Sequence, residues 1–275
     1  MRTALTCDRR HILGMRVDAT SYREVCGLVM NWGRRGESRY ICVATVNNVM
    51  ESHDSAHVMK VMNEADVVTP DGMPLVWCLR MLGIRSASRV YGPDLTPLVL
   101  QAAADGDLPV GFYGSSQNVL RRLVQMATER FDNLRVAYSY SPPYRPLTEA
   151  EDLQVCEDIR RSGCRVLFIG LNSPKQDEWM HTHRGQLPVV MIGVGAAFNF
   201  LSGTMPQAPR WMMSAGLEWL FRLITEPGRL WRRYLKQNPR FLYLMSLQLV
   251  KTHGVQFLRR THLQAGRTSS QGKAK

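Results

Sequence analysis

No Cys-x-x-Cys pair occurs in the chain, and no window approaches the roughly 18 apolar residues a helix needs to span a bilayer. The six cysteines (Cys7, Cys26, Cys42, Cys78, Cys156 and Cys164) are scattered, several of them inside apolar runs. That spacing excludes a regular disulfide framework and reads as buried thiols in a reducing compartment. Met1 to Arg10 carries charge without the apolar centre of a secretory signal. The seven histidines, His11, His53, His57, His181, His183, His253 and His262, have no cysteine or acidic companion at metal-ligand spacing, which predicts no metal site. Internal repeats are absent. Acidic residues become scarce near the end, where ten Arg or Lys between Arg210 and Arg260 face two Glu. These absences together predict a cytoplasmic protein that at most adheres to a membrane.

What is present suits one large core with an appendage: 275 residues, 45% hydrophobic and 21% charged. A formal charge of +12 calls for an anionic partner, whether nucleic acid, anionic lipid or a phosphorylated substrate.

Short β-branched runs alternate with polar turns and helical spacing. Strands are predicted at Tyr40 to Ala44, Asp66 to Thr69, Val110 to Tyr113, Leu134 to Tyr138, Val166 to Ile169 and Val189 to Ile192, with Ile12 to Val17 a short edge strand. Helices follow, one running from Asn48 to Asn63 and others from Ser21, which is placed as an N-cap, and from Thr148, whose Glu151 completes a capping box. The fold class expected is α/β, a Rossmann-like parallel sheet with flanking helices and a helical C-terminal appendage. The proline-rich loop from Ser139 to Leu147 is long enough to suggest a function.

Ligands of such sheets collect where strands end and helices begin, because the amide groups there point outward unpaired. Asp71 stands at such an end between Pro70 and Gly72, equally suited to a catalytic carboxylate or to an N-cap. Thr45 and Asn47 offer a hydroxyl and an amide that suit sugar or phosphate oxygens, with helix capping the alternative, and more evenly so for Asn48. Arg89, ahead of Gly92 and Asp94, is either a bidentate diphosphate partner or a solvated loop residue. Lys175 and Gln176 follow Pro174 in a helical first turn. Gly114 with Ser115 and Ser116, Gly170, and the pair Gly193 and Gly195 sit at turns where a backbone can approach a pyrophosphate. Asp105-Gly-Asp107 matches a metal-binding pattern but falls at the opposite edge of the sheet, so it reads as a surface turn.

The tail from Ala208 places Leu217, Leu220, Phe221 and Ile224, then Leu230, Trp231, Tyr234 and Leu235, at helical spacing, with Pro227 and Pro239 dividing it into two or three helices. It reads either as helices docked on the core or as an interfacial, lipid-facing surface. Residues 208–262 form this basic appendage, 1–207 the core, and 263–275 a disordered end.

The linked motifs Gly170-Leu-Asn-Ser-Pro-Lys-Gln-Asp-Glu-Trp179, Ile192-Gly-Val-Gly-Ala-Ala-Phe-Asn-Phe-Leu-Ser-Gly203, Ala208-Pro-Arg-Trp211 and Gly216 to Pro227 carry a resemblance. From about Ile12 to Tyr234 the chain resembles the glycosyltransferase family of the wall-teichoic-acid N-acetylmannosaminyltransferase, the common-antigen ManNAc-uronate transferase and related exopolysaccharide glucosyltransferases. The resemblance implies inverting transfer from a UDP-sugar to a polyprenyl-diphosphate-linked sugar at the inner membrane surface, with no cofactor, no metal and no nucleic-acid partner. It makes Asp71 the base, places Thr45, Asn47 and Gln176 against the donor, and sets Arg89 with Arg222, Arg229 and Arg232 against the diphosphate, with Arg233 a near alternative. It also allows a homo-oligomer. Asn172, Asp177, Asn199 and Gln207 depart from the residues common in the family. A non-catalytic nucleotide-binding scaffold and a basic nucleic-acid-binding protein are the competing readings.

Overall fold

Every apolar run predicted to be a core strand forms one, and the six lie parallel in the order β4-β3-β8-β7-β5-β6. The structure, a computed structural model, describes residues 7–271, and side chains from 7 to 252 except Arg229. In chain order the first half contains β1 (Arg9–Ile12), β2 (Met15–Asp18), α1 (Tyr22–Arg35), β3 (Arg39–Ala44), α2 (Val46–Asp54), α3 (Ala56–Glu64), β4 (Val67–Pro70), α4 (Met73–Met81), α5 (Gly92–Asp105) and β5 (Val110–Gly114). There follow α6 (Gln117–Arg130), β6 (Val136–Tyr140), α7 (Glu149–Ser162), β7 (Val166–Gly170), α8 (Lys175–His183), β8 (Val190–Gly193), α9 (Ala197–Leu201), α10 (Arg210–Ser214), α11 (Glu218–Thr225) and α12 (Pro227–Gln271).

Alternation along the strands supplies two cores, one on each face of the sheet. In β3, Tyr40, Cys42 and Ala44 join Met50, Val76, Ile159 and Met180 beneath α2, α4, α7 and α8. Ile41 and Val43 point the other way, to Val25, Val99, Leu120 and Phe198 beneath α1, α5, α6 and α9. Adjacent β3 and β8 therefore send their following helices to opposite faces, and the sheet splays open at their C-terminal ends. That crevice positions the site.

Local signals fix the helix starts. The Ser21 side chain accepts from Glu24 N, and Thr148 does the same with Glu151; in both, the glutamate reaches back to the cap residue's amide. Four expectations change. Ile12 to Val17 is not one edge strand but the centre of a hairpin, because Leu13 and Gly14 adopt positive φ of 50° and 95° and turn the chain back. The helix expected up to Asn63 breaks at Ser55, whose side chain accepts from Val58 N and starts α3. At the sheet edge, β6 begins two residues later than predicted, with an irregularity opposite Val110 and Gly111. Pro239 stays inside α12. Its ring removes one donor, but the carbonyl left over belongs to Leu235, which is exposed and open to water.

Glycines lock the sheet's ligand edge. Gly114 (φ 118°) is in register with Gly170, where an added Cβ would lie 2.7 Å from the Gly170 carbonyl carbon. A Cβ on Gly170 would land inside the Phe198 ring. Gly170→Ala should therefore cost about 1–3 kcal/mol through overpacking, seen as a lower urea midpoint; an unchanged midpoint would show that Phe198 has room to move.

The tail is docked along the core. Arg240 pairs with both Asp54 oxygens at 2.6 and 2.5 Å, and Gln248 bonds Leu13 N and His11 O at 2.8 and 2.7 Å. Leu230, Phe241 and Met245 are buried. The docked reading holds for this face of the tail, while Trp211, Ile224, Trp231, Leu235, Tyr243 and Val250 remain exposed. Among the described residues no helix is long and apolar enough to cross a membrane. Backbone helix continues to Gln271, through residues expected to be disordered, while 272–275 lie outside the described residues.

Candidate active site

The ends of β3, β4, β7 and β8 surround a cavity of 620 Å³, which α11 and α12 close from above. Asp71 lies in its floor, tied in place by its own amide, which donates to Ala44 O at 2.8 Å. The helix that follows is not capped by Asp71: its N-cap is Gly72, without a side-chain bond. Asp71 Oδ1 instead accepts from Gly92 N at 3.0 Å, the first residue of α5 across the crevice. The carboxylate thus borrows the free amide of a different helix, and its position is set by two elements rather than one.

Arg89 closes the same corner. Its Nε donates to Asp71 O, its guanidinium lies 4.0 Å from the Tyr91 ring centroid, and Nη2 meets Glu218 Oε2 at 2.5 Å. Tyr91 OH donates to Glu218 Oε1 at 3.1 Å. Glu218 on α11 thereby fastens the tail to the cavity floor, with 16% of its side chain exposed. The bonds of Arg89 in this state go to protein groups, where the sequence reading set it against a diphosphate.

Burial pushes the Asp71 carboxyl up to about 7; Arg89 pulls it down, the Glu218 carboxylate raises it, and the Gly92 amide and Arg222 lower it. Removing the Glu218 charge should therefore move the Asp71 titration to lower pH. Carbon-detected NMR of the Glu218→Gln variant measures this directly, and a midpoint that stays put or rises would contradict the assigned cause.

Two arginines from the tail complete the wall. Arg222 and Arg233 both face the cavity, and the Nε of each is buried without a hydrogen-bond partner among the described residues. A buried donor left unsatisfied is costly, and each of these can take an acceptor that enters the cavity. Arg232 lies exposed over the Trp231 ring and away from the wall, and the Arg229 side chain lies outside the described residues.

The other predicted residues separate into two groups. Thr45, Asn47, Gln176 and Gly195 line the cavity. Thr45 is also the N-cap of α2, its amide and hydroxyl both donating to Asn48 Oδ1 at 3.0 Å, and Asn47 bonds Glu51. Gln176 is buried, and its Oε1 accepts from Gly195 N at 3.1 Å, holding the turn after β8. Asp94, Gly114, Gly170, Lys175 and Gly193 fall outside the wall. Asp94 sits in the first turn of α5 beside Tyr22 OH at 3.5 Å, and a Cβ on Gly193 would meet Met180 at 2.6 Å. Ser116 caps α6, and the 139–147 loop lies away from the cavity with Tyr144 fully exposed. Asp177, one of the departures from the family, is buried and bonded to Ser173 and Asn48; burial raises it to about 6.

Asp107 pairs with Arg135 at the surface, as a turn residue would. His183 gains through folding the companions that its spacing lacks, since Asp152 and Cys156 bring ligand atoms within 4.8 Å of it and of one another. Both its ring nitrogens are engaged, Nδ1 with Trp179 O at 2.7 Å and Nε2 with Asp152 Oδ2 at 3.0 Å, in a helix contact away from the cavity. Sequence reasoning missed Glu218 and Tyr91. Glu218 falls within a motif singled out above, but a partner 129 positions away leaves no mark in local spacing.

A parallel α/β sheet whose ligand edge gathers a buried carboxylate and two arginines places the chain in the Rossmann-like α/β class. Within it the chain belongs to the Glycosyl transferase WecG/TagA/CpsF family, whose model matches residues 10–254. It is 29% identical over 202 residues to an N-acetylglucosaminyldiphosphoundecaprenol N-acetyl-beta-D-mannosaminyltransferase of Bacillus spizizenii, covering 73% of this chain and 76% of the relative. A Staphylococcus aureus protein of the same name is 25% identical over 238 residues, covering 86% and 91%. The chain is a glycosyltransferase of that family.

Proposed function

We propose that the protein transfers a hexose or N-acetylhexosamine from a UDP-sugar to a sugar held on a polyprenyl diphosphate, a step in the assembly of a surface polysaccharide. The relatives' name gives N-acetylmannosamine as the sugar moved and N-acetylglucosaminyldiphosphoundecaprenol as the acceptor, and these are the first pair to test. The observation that carries the reading is the meeting of Asp71 with Arg222 and Arg233 in one cavity, a carboxylate beside two arginines whose Nε donors are unsatisfied.

In the reaction Asp71 takes the proton from the acceptor hydroxyl as its oxygen attacks the anomeric carbon from the face opposite the leaving UDP, so configuration inverts. Arg222 and Arg233 meet the charge that grows on the departing diphosphate. Thr45 and Asn47 hydrogen-bond the donor, and Gln176 acts through the backbone of Gly195. The core of 1–207 binds the nucleotide, the appendage from 208 supplies the cations, and its exposed apolar and basic residues rest on the membrane that holds the acceptor.

Incubating the protein with a panel of UDP-sugars and a short-tailed diphosphate-linked N-acetylglucosamine tests this. The expected product is one sugar heavier, with a β linkage by NMR; a product with retained α configuration would remove Asp71 from the role of base in a single displacement.

A further inference from the structure

The cavity does not end at the arginines. Two helix rows continue it away from Asp71. On α4 the lining residues Met73, Trp77 and Met81 recur every fourth position and so share one face. On α12 the lining row is Arg233, Gln237, Phe241, Met245 and Leu249, again every fourth position, and it changes along its length from cationic and amide to wholly apolar. At the near end, Tyr234 meets Trp219 edge-on at 6.1 Å, next to the Glu218 and Arg89 pair. At the far end the β1–β2 hairpin ties the two helices together: Arg10 donates to Leu82 O beyond α4, and Gln248 of α12 bonds His11 and Leu13. Both rows therefore run in the same direction; the α4 row is apolar throughout, and the α12 row is polar beside the carboxylate and apolar beyond it. The stretch from Arg233 to Leu249 is about 24 Å long at helical rise.

Trp77 forms the lip of this channel. It is 41% exposed, and its ring edge lies where a Cβ on Gly216 would come within 2.6 Å, so a residue with no side chain is needed at the tail's turn to admit the indole. A channel cationic at one end and lined by Trp, Met, Phe and Leu at the other suits an amphiphile with an anionic head and an apolar chain, not a free nucleotide.

We propose that the channel between α4 and α12 binds the first isoprene units of the acceptor lipid, with the acceptor's diphosphate at the channel's polar end. The inference rests on the acceptor class proposed above and adds to it the place where the lipid is recognised. The acceptor is then held by its chain as well as by its sugar, lifted partly out of the bilayer into protein.

Binding separates this from the transfer reaction. Affinities of inorganic diphosphate, geranyl diphosphate and farnesyl diphosphate for the full chain are measured by titration calorimetry without lipid. Affinity should tighten about tenfold or more from the tail-free to the farnesyl probe. Trp77→Ala combined with Met81→Ala, both exposed positions, should flatten that gain to within about threefold while leaving inorganic diphosphate unaffected. A control, Leu235→Ala with Val250→Ala on the outer surface of α12, should keep it. No dependence on tail length, an undiminished dependence in the Trp77 and Met81 variant, or its loss in the control would each overturn the channel. Tail-dependent binding without any sugar transfer would remove the proposed function and leave the channel standing as a prenyl diphosphate site; transfer with flat binding would do the reverse.

Discussion

Asp71→Asn should lower the transfer rate by about three orders of magnitude while donor affinity stays within a few-fold. The amide keeps an oxygen for the Gly92 N–H bond and keeps the side-chain volume, so the floor of the cavity is undisturbed. It cannot take a proton from the acceptor. Because burial raises the native carboxyl toward neutrality, replacing it with an uncharged group removes a desolvation cost, and the variant's melting temperature should hold or rise. A folded variant with undiminished turnover would move the base to another group. The wild-type rate should also climb with pH as the carboxyl deprotonates, since only the ionised form accepts the proton.

Arg222→Ala should cost about two orders of magnitude in kcat, with Arg233→Ala smaller or equal, and both should leave the core folded. The argument is electrostatic. The leaving diphosphate gains charge as the glycosidic bond breaks, and a guanidinium already desolvated in a protein wall meets that charge without reorganising. Arg222 is held for this by the Phe200 ring, 5.8 Å from its guanidinium carbon, and by α11, which Glu218 fastens to Arg89. Substituting exposed Arg232 should leave kcat in place and weaken only binding to anionic vesicles. If Arg232→Ala proved the more damaging of these changes, the tail would have to dock in a different register during turnover.

The strands, the helix caps at Ser21 and Thr148 and the placement of Asp71, Thr45 and Asn47 were all legible, because each depends on residues close in sequence or on where parallel strands end. The hairpin at Leu13 and Gly14 was not, since a non-glycine residue at positive φ has no local signature strong enough to announce a turn. Glycines misled in a different way. Gly114, Gly170 and Gly193 lack side chains because of a neighbouring strand, Phe198 and Met180, which are contacts across the fold. Arg232 and Arg233 show the limit most directly. They are adjacent in sequence and alike in chemistry, yet about 100° of helical turn sends one to solvent and the other to the cavity, and only the docking of α12 through Arg240 and Gln248 decides which.

The measurement that tests the central claim most directly is UDP release by the full-length protein, followed with and without a polyprenyl-diphosphate-linked N-acetylglucosamine. The account predicts release that depends on the acceptor, with one UDP-sugar strongly preferred. UDP released at the same rate without acceptor, or a donor bound and never turned over whatever acceptor is offered, would contradict it.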